Sequence, residues 1–214
     1  MEVALQEHST WLLVVDSKGR NSMKTLMLLA TTALLSMNSA AFCQTEQKPS
    51  VPTIPATQIE PRKVATALEF VATASSANSF EIDAAKLALK RAQAPELKAF
   101  AQRMIEAHSP AQEELLAIAK SGDKTKEFAE PAPDGEQQGI LAKLASVKDG
   151  PDFDKMYIEG QIYVHQRAIS LLKGYSDGDS DLNRFAAKTL PTIIDHYQMA
   201  QELGSKLNVK APAQ

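Results

Sequence analysis

The chain has 214 residues, 44% of them hydrophobic and 23% charged, a balance that suits a globular protein and excludes a disordered or fibrous one. Net charge is −3, and residues 1–43 carry three basic residues (Lys18, Arg20, Lys24) against three acidic ones (Glu2, Glu7, Asp16), so the remainder has no basic footprint for nucleic acid. The single cysteine, Cys43, excludes an internal disulfide.

From Met23 the sequence reads MKTLMLLATTALLSMNSAAFCQ: one positive charge at Lys24, an apolar run from Leu26 to Leu35, then the small residues Ser39, Ala40 and Ala41. That order predicts a signal peptide over 23–43, cleaved after Ala41 or just after Cys43. Residues 1–22 carry Glu7 and Asp16 ahead of what should be a short basic start, so they read as a spurious N-terminal extension, with Met23 as the initiator. The apolar run falls short of the roughly 20 residues that span a bilayer, so no permanent transmembrane helix is expected in the mature chain. A periplasmic or secreted protein follows, with outer-membrane association as an alternative. A lipid anchor on Cys43 is disfavoured because Phe42, not a small residue, precedes it.

Residues 44–61 hold Pro49, Pro52, Pro55 and Pro61 and predict an extended, poorly packed tether. A four-helix domain is expected over 62–208, with a short tail at 209–214. Arg62 to Ala94 lacks proline and glycine, which predicts a long helix. Its inward stripe runs through Leu68, Val71, Ala74, Asn78, Glu81, Ala85 and Ala88, which places Glu81 on the apolar side. Pro95 opens a second helix, with Leu97, Phe100, Met104, His108, Ala111, Leu115 and Ala119 as its buried face. A polar, broken stretch follows, then ILAKLASV as a candidate short helix. The third long helix is expected over Asp152 to Tyr175, with stripe Ile158, Ile162, His165, Ile169 and Leu172. After the breaker-rich SDGDSD, a fourth runs from Leu182 to Leu207 through Phe185, Thr189, Ile193, His196, Ala200 and Leu203. Ser109 to Gln112 reads as a capping box ahead of which the second helix restarts or kinks, and Pro191 is expected to bend the fourth.

Connections that are short, long and short predict an all-α, ferritin-like four-helix bundle with one long crossover between the second and third long helices. A helix of about 25 residues is about 37 Å long, and the middle segment is long enough to return along it. The halves echo each other: LKAFAQRM from Leu97 and LNRFAAKT from Leu182 share Leu, Phe and Ala in register.

The three histidines beyond the leader occupy one frame, Ile-x-x-His followed by Leu seven residues on: Ile105/His108/Leu115, Ile162/His165/Leu172 and Ile193/His196/Leu203. Each imidazole therefore lies on a core-facing stripe, where a polar ring must be hydrogen-bonded or metal-bound. Glu81, His108, His165 and His196 are the candidate ligands for a single divalent metal ion; zinc, copper, iron and manganese all accept nitrogen and oxygen donors. A ferritin-type di-iron centre is disfavoured, because such sites use Glu-x-x-His and the residue three before each histidine here is Ile. Glu106 and Asp195 should face water. The alternative is a structural polar layer that only sets helix packing, in a non-catalytic envelope-stress module whose outer faces meet a protein partner or a second copy. No nucleophile with a base and an oxyanion donor is visible, so an enzyme is the weaker reading and no catalytic residue is assigned.

The segments FVATASSANSFEIDAAKLALKRAQAPELKAFAQRMIEAHSPAQEEL, FDKMYIEGQIYVHQRAISLLKGY and LNRFAAKTLPTIIDHYQMAQEL together resemble the domain of unknown function 4142 family of bacterial exported proteins, over roughly Leu68 to Leu207. The resemblance implies a ferritin-like fold and an exported location, with Glu81, His108, His165 and His196 at positions the family pattern fills with the same residue types. Glu106 stands where Asp is frequent. No reaction is implied.

Overall fold

A computed structural model describes residues 54–129 and 132–209; the expected extension and signal peptide lie outside these residues, as does most of the tether. Among the described residues every regular element is helical: a 3-10 turn, Ala56–Gln58, and the helices α1 (Ala67–Arg91), α2 (Pro95–Ser121), α3 (Gly135–Ser146), α4 (Pro151–Tyr175) and α5 (Asp181–Lys206). The helix boundaries follow local chemistry. Thr66 caps α1 by accepting from Glu69 N at 3.0 Å. Pro95 and Pro151 occupy first helical turns, where a missing N–H leaves nothing unsatisfied. Asp134 with Gln137 and Ser180 with Asn183 form reciprocal capping boxes for α3 and α5. Gly150, at φ 114°, makes the entry to α4 in a backbone region that disfavours a side chain.

Helix α1 packs mainly on α2, and α4 on α5; the two hairpins meet through α1 with α4 and α2 with α5, while α3 lies against α1 and α4. Each long helix thus has two long neighbours and a shared interior. Phe70, Phe80, Leu97, Met104, Leu115, Phe153, Tyr157, Ile158 and Ile169 are fully buried there. Arg91 at the end of α1 joins the layers: it pairs with Asp149 at 2.5 Å, donates to the Leu144 carbonyl, and lies 4.8 Å over the Phe153 ring. Buried Asp154 accepts from the backbone N–H groups of Gln93 and Ala94, tying the α1–α2 turn to α4. None of the described helices is long and apolar enough to cross a membrane.

Several expectations are corrected. Helix α1 starts at Ala67 rather than Arg62, and Leu68, expected inside, is 46% exposed, because the buried side of this first turn is the one that Phe70 occupies. Helix α2 runs unbroken through Pro110, so no restart occurs at Ser109; the Gln112 side chain bonds Ser75 and Asn78 across the interface instead of closing a local box. The short helix begins at Gly135, five residues before the expected Ile140, because the Asp134 box nucleates it there. Val209, the first residue of the expected tail, is buried and its N–H donates to the Gly204 carbonyl.

The described part of the expected tether, 54–61, is docked. Lys173 donates to the carbonyls of Ala56 and Ile59 at 2.7 and 2.9 Å, Tyr197 donates to the Ile54 carbonyl at 3.0 Å, and Ile59 is buried. The strap continues through Arg62, whose N–H donates to the Ser170 carbonyl at 2.8 Å. This crossing requires Gly174, since a Cβ there would sit 1.8 Å from the Arg62 carbonyl oxygen. Gly174→Ala is therefore expected to lift the strap off α4, with a stability loss of about 1–3 kcal/mol. Thermal unfolding reads the loss, and limited proteolysis should gain cleavage within 54–66; an unchanged digestion pattern would contradict this account.

Candidate metal centre

Each long helix delivers one candidate residue to the interior: Glu81 from α1, His108 from α2, His165 from α4 and His196 from α5, all at most 4% exposed. The period of 3.6 puts each on the same stripe as its Phe, Ile and Leu neighbours, so packing the apolar stripes together forces the polar groups together as well. The three imidazoles form a nearly equilateral triangle, with ring centroids 5.8 Å (His108–His165), 5.5 Å (His108–His196) and 5.6 Å (His165–His196) apart. One ring nitrogen from each lies within 4.8 Å of the others, the arrangement of a three-nitrogen cation site.

The hydrogen bonds around the triangle determine where its lone pairs point. His165 Nδ1 lies 2.9 Å from the Gln161 carbonyl, one turn back on α4. A carbonyl only accepts, so Nδ1 carries the proton and Nε2 a free lone pair. His108 Nδ1 lies 2.9 Å from Asn78 Oδ1, and Asn78 is oriented by donating through Nδ2 to Gln112 Oε1 at 3.2 Å, while Gln112 Nε2 donates to Ser75 Oγ at 2.6 Å. His108 Nδ1 is again the donor and Nε2 the free acceptor. Both Nε2 atoms, together with His196 Nδ1, are buried without a hydrogen-bond partner. A ring that donates one N–H to a carbonyl or amide oxygen and turns the other nitrogen inward has the outer support of a metal ligand.

Charge is arranged to match. Burial is the main cause holding all three histidines below their usual range, to about 3 for His165 and about 4 for His196, with mutual repulsion from the neighbouring rings adding to the effect at His108 and His165. Arg103 adds to it at His196. All three rings are neutral at pH 7, the form that ligates. Burial pushes Glu81 up to about 8, against a lowering hydrogen bond from Gln161 Nε2, which donates to Glu81 Oε2 at 2.7 Å.

The four candidates are thus all brought inside, but not to one point. Glu81 Oε1 is 3.5 Å from His165 Nδ1, the nitrogen on the far side of that ring from Nε2, and Glu81 stands outside the group of mutually close ligand atoms. It backs His165 rather than completing a fourth vertex. Glu106 and Asp195 are exposed, as their helix positions predict. Of the supporting residues, the sequence predicts Asn78 only as part of the inward stripe and Gln112 only as a capping-box partner, and it predicts no role for Gln161. Gln112 and Gln161 do lie four positions from His108 and His165 on the same helix face, a spacing that could have marked them.

The sequence model of one protein family, described as a domain of unknown function (DUF4142), matches residues 53–203, most of the chain. Its start at 53 includes the docked strap. No curated protein and no solved structure matches.

Proposed function

The chain belongs to the DUF4142 family, and we propose that it is an exported helical protein that binds one divalent metal ion through His108, His165 and His196. The observation that carries this reading is the cluster of three buried histidines with one ring nitrogen each within 4.8 Å of the others, in which His108 Nε2, His165 Nε2 and His196 Nδ1 are buried without a hydrogen-bond partner. An orphaned buried acceptor costs about 1–3 kcal/mol, and three in one place are explained together by a cation. Neutral imidazoles favour zinc, copper or iron over magnesium or calcium. Three protein nitrogens also leave a coordination position open, as in zinc sites that hold a water. Glu81 acts in this reading as a positioning residue: its carboxyl accepts from Gln161 Nε2 and stands 3.5 Å from His165 Nδ1, the nitrogen that donates to the Gln161 carbonyl. The short, long and short connections and the pairing of α1 with α4 and of α2 with α5 support a ferritin-like bundle with α3 in its crossover. Export rests on the Met23–Cys43 pattern, and N-terminal sequencing of the mature periplasmic protein tests it.

The second reading is a polar layer that sets helix register without an ion, favoured by the Ser75–Gln112–Asn78–His108 hydrogen-bond chain joining α1 to α2. Elemental analysis of untagged protein separates the two. The metal reading expects about one equivalent in the wild type and none in His108→Ala or His196→Ala. A metal-free wild type with unfolded variants would establish the polar layer instead. Glu81→Gln is expected to keep the stoichiometry while weakening affinity about 10–100-fold, the effect of removing an outer support; loss of the ion itself would make Glu81 a ligand.

A further inference from the structure

Beside the histidine cluster lies a small, partly open cavity with room for a few water-sized molecules. Its inner end is formed by Glu81, His108 and His165, and its walls by side chains such as Ala74, Leu171, Leu172, Phe185 and Ile193. A second cleft, lined by Arg62, Glu136, Tyr163 and Arg167, shares Ala77, Val164, Ala168 and Leu171 with the first, so the two are separated by one thin wall between α1 and α4. The wall contains two alanines. Polar groups at the inner end are buried and unpartnered: Glu81 Oε1, His108 Nε2 and His165 Nε2.

We propose that this cavity admits a small neutral apolar molecule, of the size of a diatomic gas, to the coordination position that His108, His165 and His196 leave open. The inference rests on the metal reading above and adds the class of ligand. An ion or a hydrated solute would lose its water against Leu171, Leu172, Phe185 and Ile193, with few polar groups, Asn78 and Thr189 among them, along a predominantly apolar wall to replace it. A neutral diatomic loses nothing by that transfer. The outer cleft offers no single sign of charge to select an ion, since Arg167 lies 3.6 Å from Glu136 and Arg62 is 3.4 Å from Glu69. Ala77 and Ala168, which line both clefts, present only methyl groups to the neck between them. Predominantly apolar cavities take up apolar probes.

Two measurements on the full mature chain test it. In the first, the metal-free protein is exposed to xenon, and methyl resonances of Leu171, Leu172 and Ile193 are followed. They are expected to shift in the wild type and to stay still in Ala168→Leu, which fills the neck; unmoved resonances in the wild type would overturn the proposal whatever the metal does. In the second, protein loaded with one equivalent of cuprous ion under argon is given carbon monoxide, and the C–O stretch is read in the infrared. A bound band is expected, forming at least tenfold more slowly in Ala77→Leu or Ala168→Leu with copper content unchanged, and faster in Leu171→Ala. The Leu171→Ala arm keeps the test decisive if the filled variants fold poorly. Copper bound without a carbon monoxide band, or a band whose rate ignores all three substitutions, would overturn the cavity proposal and leave the metal reading standing. Failure of the wild type to retain copper, zinc or iron at all would remove both.

Discussion

One equivalent of zinc is expected to raise the unfolding midpoint of the metal-free protein by about 8–16 °C when free ion exceeds the dissociation constant a thousandfold. Binding to the folded state alone at that excess contributes about 4 kcal/mol, and a domain of about 150–250 residues shifts about 2–4 °C per kcal/mol. The physical origin is local. His108 Nε2, His165 Nε2 and His196 Nδ1 are lone pairs already removed from water, so the ion restores what folding took from them. Differential scanning calorimetry with and without zinc reads the shift. His165→Ala should abolish it, and the metal-free His165→Ala protein should unfold at a temperature near or below that of the metal-free parent. A zinc-induced rise that survives the loss of any one of the three rings would mean the ion binds elsewhere. Glu81→Gln, with affinity weakened about 10–100-fold, should retain about one-third to two-thirds of the rise at the same free zinc, because Gln161 still holds the His165 ring through its carbonyl.

Metal-free protein is expected to be most stable near pH 6.5–7 and to lose stability on both sides, for opposite reasons. On the acid side, the folded histidines titrate well below their ordinary 6.5, at about 3 for His165 and about 4 for His196. Between those values and 6.5 the unfolded chain binds protons that the folded one refuses, so the stability present above pH 6.5 is lost as pH falls. Glu81 works the other way. Its folded value of about 8 lies above the ordinary 4.5, so the folded state holds a proton that the unfolded chain releases. That contribution is fully present below pH 4.5 and is lost as pH rises through 8. Around pH 5.5 three histidines oppose one carboxyl, a net difference of about two protons and a slope of about 2–3 kcal/mol per pH unit. Above pH 7 Glu81 outweighs the residual protonation of the unfolded histidines, and stability falls by about 0.5–0.7 kcal/mol per unit between pH 7.5 and 8. Urea unfolding across pH 4.5–9 measures both limbs. In Glu81→Gln the alkaline limb should flatten and the acid limb should steepen toward three protons; an unchanged alkaline limb would show that Glu81 is already ionised at neutral pH.

How far the sequence could be read depended on whether a residue's role was set by its own helix or by a neighbouring one. The stripe Leu97, Phe100, Met104, His108 and Leu115 is buried as spacing predicts, and so are Ile158, Ile162, His165, Ile169 and Leu172. Leu68 failed that test in the first turn of α1, where Phe70, two residues on and so on nearly the opposite side of the helix, is the buried residue and stacks on Tyr175 at 4.1 Å. The strap over 54–61 was illegible for another reason. The four prolines of the expected tether over 44–61 describe an extended chain, but the docking of 54–61 depends on Lys173, Tyr197 and a missing side chain at Gly174, all more than a hundred residues away. The same holds for Asn78 and Gln112, whose bonds cross from α1 to α2 and relay orientation to His108.

Helix periodicity alone determined that Glu81, His108, His165 and His196 would all face inward, because an apolar stripe must be buried and a polar residue within it has no other direction to take. Only the packing of α1, α2, α4 and α5 against one another decided which of them meet. It brought three rings into a triangle 5.5–5.8 Å on a side and left Glu81 behind His165. The axial level at which four helices cross is set by turns, caps and side-chain volume on several elements at once, and no single helix records it.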